Sequence, residues 1–99
     1  MDDPVQLFKR LIRAGTVRVY LAAKNPAVNQ PTDAYTLHYS GQYARFAMVD
    51  GQFPAMRGYG SCVSAPELPL VEYAAIPVAM RHALAGWILT AYRQGNING

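Results

Sequence analysis

Cysteine is nearly absent from this chain. A single residue, Cys62, excludes an internal disulfide, and nothing in cysteine usage points to an oxidising compartment. Long apolar runs are missing too. The longest, residues 83–89, falls far short of the ~20 residues a spanning helix needs, so a soluble, cytoplasmic chain without membrane contact is expected. The opening MDDPVQLFKR starts with acids and is broken by Lys9 and Arg10, which is no secretory leader. Two histidines and one cysteine, widely separated, make no zinc pattern. Neither a GxxxxGK[ST] nor a GxGxxG run is present, so phosphate-cradling loops are excluded and no small-molecule cofactor is evident. Internal repeats and low-complexity segments are also missing.

What is present is apolar and slightly basic. Apolar residues make up 52% of the 99, a globular fraction, and a chain of this length has room for one core, read as a single domain over residues 1–99. Nine basic residues against six acidic ones give a formal charge of +3, and five of the nine (Lys9, Arg10, Arg13, Arg18 and Lys24) lie near the start. A charge of this size permits an acidic or nucleic-acid partner without requiring one.

Residues 77–94, PVAMRHALAGWILTAYRQ, form the helix the rest of the chain is expected to pack around. Pro77 suits a first helical position, and Gly95 stands where a left-handed cap belongs. At 100° per residue, Met80, Leu84, Trp87, Ile88 and Ala91 fall on one face. Val78, His82, Ala85 and Leu89 form a second apolar stripe, and a helix with two such stripes wants two partners. An earlier helix spans residues 3–14: Asp3 caps it, Pro4 opens it, Gly15 ends it, and Val5, Phe8, Leu11 and Ile12 form its buried stripe.

Between the helices the pattern alternates with period two. Residues 16–23, 34–40 and 42–49 read as strands, with the Pro- and Asn-rich residues 24–33 as a loop and Ser40-Gly41 as a turn. Asp50-Gly51 is the strongest local signal and predicts a two-residue hairpin with positive φ at both central positions. A strand over 52–56 should follow, with Pro54 confining it to an edge or a bulge. Residues 57–67 read as irregular or weakly extended, and 68–76 as a last strand. Short turns make neighbouring strands antiparallel. The fold class is α+β: an N-terminal helix, an antiparallel sheet of four to five strands, and a long C-terminal helix, with both helices on one sheet face in a two-layer sandwich.

For chemistry, the candidates are few. Cys62 in a Gly-flanked loop has neither His38 nor His82 paired with it by sequence, and the carboxylates suit caps, turns and surface, so no catalytic residue is assigned. Arg57-Gly58-Tyr59-Gly60 resembles the first four positions of the RNA-recognition-motif signature. The match ends there: Ser61 and Ser64 stand where aromatics belong, and that fold starts with a strand rather than a helix.

The sequence does not disclose a biochemical activity. The reading it favours is a small non-catalytic protein–protein interaction module, self-associating as a homodimer or acting as a phage- or mobile-element-type inhibitor or adaptor that occludes a larger partner. Its candidate contacts are Val78, His82 and Leu89 on the last helix and Tyr35, Tyr39 and Tyr43 on strands, residue types enriched at interfaces among them. The alternative is a small basic DNA- or RNA-binding regulator that grips phosphate with Lys9, Arg10, Arg13 and Arg18 and stacks bases on strand tyrosines.

Overall fold

The computed structural model describes residues 3–21, 34–49 and 53–97. The loop expected over 24–33 and the Asp50-Gly51 turn lie outside the described residues. The architecture is α+β: helix α1 (Pro4–Arg13), strands β1 (Val17–Leu21), β2 (Ala34–Tyr39), β3 (Gln42–Val49) and β4 (Phe53–Ser61), then helix α2 (Val78–Arg93).

Both helices form for reasons written in their ends. The Asp3 carboxylate accepts the Val5 amide at 2.8 Å, satisfying one of the donors a helix start leaves open. After α1, Gly15 takes φ +77°, its amide donates to Ile12 O, and Thr16 N donates to Leu11 O. After α2, Gly95 takes φ +78° and the same two bonds run to Tyr92 O and Ala91 O. These paired bonds are the Schellman closure, which satisfies the last carbonyls of each helix. Pro77 sits one position earlier than expected, as the cap of α2 with extended ψ 144°, and its carbonyl accepts the Arg81 amide.

The sheet is an antiparallel meander in the order β1-β2-β3-β4. Its first turn falls at Ser40-Gly41, where the sequence marks one. Tyr39 pairs with Gln42, so Ser40-Gly41 is the two-residue hairpin, with φ +46° and +72°. Positive φ at both positions makes it the turn whose twist matches the strands. Beyond it β3 and β4 pair as far as Val49 with Phe53. Serine is a poor occupant of positive φ, and asparagine a better one. Ser40→Asn is therefore expected to stabilise the fold by roughly 0.5 kcal/mol and to raise Tm by about 2–4 °C in a thermal melt. An unchanged or lower Tm would count against the turn assignment.

Side chains of alternate strand positions divide the sheet into two faces. Val17, Val19, Leu37, Ala44 and Phe46 join Leu7, Phe8 and Leu11 of α1 and Met80, Leu84, Ala85 and Ile88 of α2 in one buried cluster. Both helices therefore cover the same face, and α1 also packs along α2. Arg81 locks their junction. Its Nε donates to Ile76 O at 2.7 Å, its Nη2 donates to Ala74 O at 2.9 Å, and its guanidinium lies 4.8 Å from the Tyr73 ring centre. The Lys9 ammonium approaches that ring at 5.2 Å. These contacts fix the short 3-10 turn Tyr73–Ala75 that leads into α2.

One expectation about the edges is corrected. The last strand expected over 68–76 shrinks to one bridge, Tyr20 with Leu70, flanked by Leu21 N donating to Pro69 O and Val71 N donating to Val19 O. Beyond it the chain has to coil into the 3-10 turn to reach α2, so extended pairing stops. On the other sheet face Tyr20, Ala34 and Thr36, at the β1–β2 end, are buried. Thr36 is only 2% exposed, and its hydroxyl finds no hydrogen-bond partner among the described residues. In the opposite direction, residues expected to be irregular turn out to be strand: β4 runs through Arg57-Gly58-Tyr59-Gly60 to Ser61. No helix among the described residues is long and apolar enough to cross a membrane.

Candidate functional site

The two edges of the sheet are built differently. The outer edge of β1 is occupied by the residue 69–71 strap. β4 pairs with β3 on one side, and among the described residues nothing pairs with its other side. Its main-chain groups on that side therefore have no strand partner, in a strand nine residues long. As expected of the strand that carries Pro54, it lies at an edge and is bulged.

The bulge shapes what this edge presents. Arg45 pairs with Gly58 and the next β3 residue, Phe46, pairs with Met56, so Arg57 is the extra residue. In a regular strand, positions three apart point to opposite faces. The inserted residue brings Met56 and Tyr59 to the same face, opposite Phe46 and Ala44, on the side of the helices. Met56 is 41% and Tyr59 67% exposed, although both are large and apolar in body. Tyr59 leans on Trp87 of α2, with ring centres 5.7 Å apart, and Trp87 meets Phe46 edge-on at 5.9 Å. Trp87 is itself held by its indole N–H, which donates to the Tyr39 hydroxyl at 2.8 Å. Beside Trp87 the flank of α2 carries Ala83, Gly86 and Thr90, none of them bulky, and a side chain added at Gly86 would meet open space.

The far side of the same edge is polar and cationic. Tyr43, Arg45, Arg57 and Gly58, with Ala34, Ala47 and Met48, line a cleft of about 600 Å³. The Tyr43 ring lies across Gly60, where an added Cβ would come within 3.2 Å of it, so this glycine is what admits the ring. No ion pair reaches Arg45 or Arg57 from the described residues.

The sequence-derived interaction residues do not share one surface. Tyr35 and Tyr39 are buried on the helix-covered face, because each lies two positions from Leu37 and shares its face, and Tyr39 has its hydroxyl satisfied by Trp87. Tyr43 is half-buried in the cleft on the opposite face. On α2, Val78 is 61% exposed and His82 is exposed, whereas Ala85 is fully buried and Leu89 half-buried against the core. The second apolar stripe is thus interrupted at its middle. The basic set is divided as well. Lys9, Arg10 and Arg13 belong to α1 in the helix layer, while Arg18 alternates with Val17 and Val19 and so points to the other sheet face. Met56, Arg57, Tyr59 and Trp87 were not singled out as a site by sequence, and Pro54 with the Gly58/Gly60 pair was the available signal.

Cys62 and His38 do come together, but not as nucleophile and base. His38 Nε2 lies 3.0 Å from the Cys62 main-chain oxygen, and the Cys62 thiol donates to Ser64 O at 2.9 Å. Among the described residues no group of three His, Cys, Asp or Glu side chains gathers as a metal site. Comparison with protein-family models, with curated proteins and with solved structures finds no match to this chain.

Proposed function

We propose that this protein is a small non-catalytic interaction module that holds an extended segment of a partner protein along the free edge of β4. The observation that carries this reading is the asymmetry of the sheet: among the described residues one edge is strapped by residues 69–71, and the other is left unpaired beside exposed Met56 and Tyr59. An added strand gains main-chain hydrogen bonds from such an edge, and side-chain pockets on its two faces give selectivity. An exposed edge with large apolar neighbours is otherwise a liability that proteins blunt. An inhibitor or adaptor of this size works by occupying a surface of a larger protein, and an edge strand suits that role.

The test starts from short peptides selected from a random extended library displayed against the full chain. Selected binders are expected to shift the amide resonances of residues 54–61 and to slow their hydrogen exchange, while α1 amides stay unmoved. Selection of no binder, or of binders that leave 54–61 unchanged, removes strand capture as the function.

A further inference from the structure

The two sides of the β4 edge are chemically opposite, and a strand laid against it would present alternate side chains to each. On the helix side it meets Met56, Tyr59 and the Trp87 ring, with small residues of α2 beside them. On the other side it meets the cleft that Arg45 and Arg57 line, floored by Gly58, where added side-chain volume meets nothing within 4 Å. The period of a strand is two residues, so a matching segment alternates in the same rhythm. Resting on the strand-capture reading, we propose that the edge takes an extended segment in which carboxylate side chains alternate with apolar ones: apolar groups lie toward Tyr59 and Trp87, and carboxylates lie toward Arg45 and Arg57.

Charge decides among the possible occupants. Guanidinium groups match carboxylates in a forked geometry, and no acidic group of the described residues neutralises these two. A second copy of this chain fits poorly. Pairing β4 with its own equivalent would set Arg57 and Arg45 against cations and bring no carboxylate from residues 53–61. A nucleic acid fits poorly as well. The cations that would extend a phosphate track, Lys9, Arg10 and Arg13, sit on α1 in the opposite layer, and Lys9 is engaged over the Tyr73 ring. Of the strand tyrosines expected to stack bases, Tyr20, Tyr35 and Tyr39 are buried.

The experiment uses the intact chain and short, soluble, end-capped peptides: one alternating Glu with Leu, one alternating Lys with Leu, and one alternating Glu with Ser. An oligothymidylate serves as the nucleic-acid arm. Trp87 is the chain's one tryptophan, so its emission reports binding directly, and amide shifts of residues 54–61 locate it. The Glu/Leu peptide is expected to bind roughly tenfold tighter than the Lys/Leu peptide, since attraction to one sign and repulsion of the other both count. The preference should shrink as salt rises. Arg57→Glu is expected to reverse the preference, and Arg57→Gln to abolish it. Tyr59→Ser should weaken both Leu peptides by a similar factor and leave their ratio unchanged. Equal binding of the Glu/Leu and Lys/Leu peptides at this edge overturns the partner chemistry while strand capture stands. Failure of every peptide to move residues 54–61 overturns both. Tighter binding of the oligothymidylate than of any peptide, with shifts at Tyr43 and Arg45, overturns the proposal in favour of nucleic acid, and concentration-dependent self-pairing through β4 does so in favour of a homodimer.

Discussion

Phe8→Ala is expected to lower the unfolding free energy by about 3–5 kcal/mol. Phe8 is fully buried, and it stands where three parts of the chain meet. It belongs to α1, joins the cluster that holds Leu84 and Ile88 of α2, and sets its ring edge-on to Tyr73 at 5.7 Å. Truncation removes the transfer energy of the ring and leaves a cavity that two capped helices cannot easily close. A domain of this size holds roughly 5–15 kcal/mol in all, so the loss takes a large fraction of it. Urea titration followed by circular dichroism measures this as a lower midpoint at unchanged slope. Val78→Ala is the control: the side chain is mostly exposed, and the expected change is within ~0.5 kcal/mol. Similar costs at Phe8 and Val78 would mean that the core is not where the structure puts it.

Trp87→Ala is expected to cost about 3 kcal/mol, the lower end for a large aromatic, because Trp87 is half-buried. Its worth divides into packing on Phe46 and Tyr59 and one hydrogen bond to Tyr39. Trp87→Phe keeps most of the packing and leaves the hydroxyl of Tyr39, a residue only 4% exposed, without its donor. That change alone should cost about 1–2 kcal/mol. Combining it with Tyr39→Phe should cost less than the sum of the two single changes, by about 0.5–1.5 kcal/mol. Strict additivity in that cycle would show that the bond contributes nothing. Trp87→Ala should also weaken any strand held at β4, since Tyr59 would lose the ring it leans on.

Much of the fold could be read from local chemistry. Asp3, Pro4 and Gly15 bracket α1, Gly95 ends α2, and the period-two runs of β2 and β3 mark them as strands. What failed did so where the decisive interaction was distant. Ser40-Gly41 reads only as a turn, and it closes as a tight two-residue hairpin because register is set by the pairing of Leu37 with Ala44 and Tyr35 with Phe46 in the core. The sequence pattern ends β4 at residue 56 because Gly58 and Gly60 lower strand propensity, while pairing with β3 supplies the missing stability out to Ser61. The candidate site was hidden for a related reason. The spacing of Met56 and Tyr59 puts them on opposite faces unless a residue is bulged, and nothing in the local sequence specifies a bulge at Arg57. Trp87 was legible as a core residue; its role at the border of an exposed edge was not.

The bridge between Tyr20 and Leu70 has a consequence for how the chain assembles. It joins positions half the chain apart, whereas Tyr39 finds Gln42 across two residues. Closing the longer loop has the greater entropic cost, so the hairpins can zip early while residues 69–71 must wait for β1 to be in place. α2 follows that segment in sequence, so its docking completes last, and a nascent chain halted before residue 70 would hold a sheet with both borders bare.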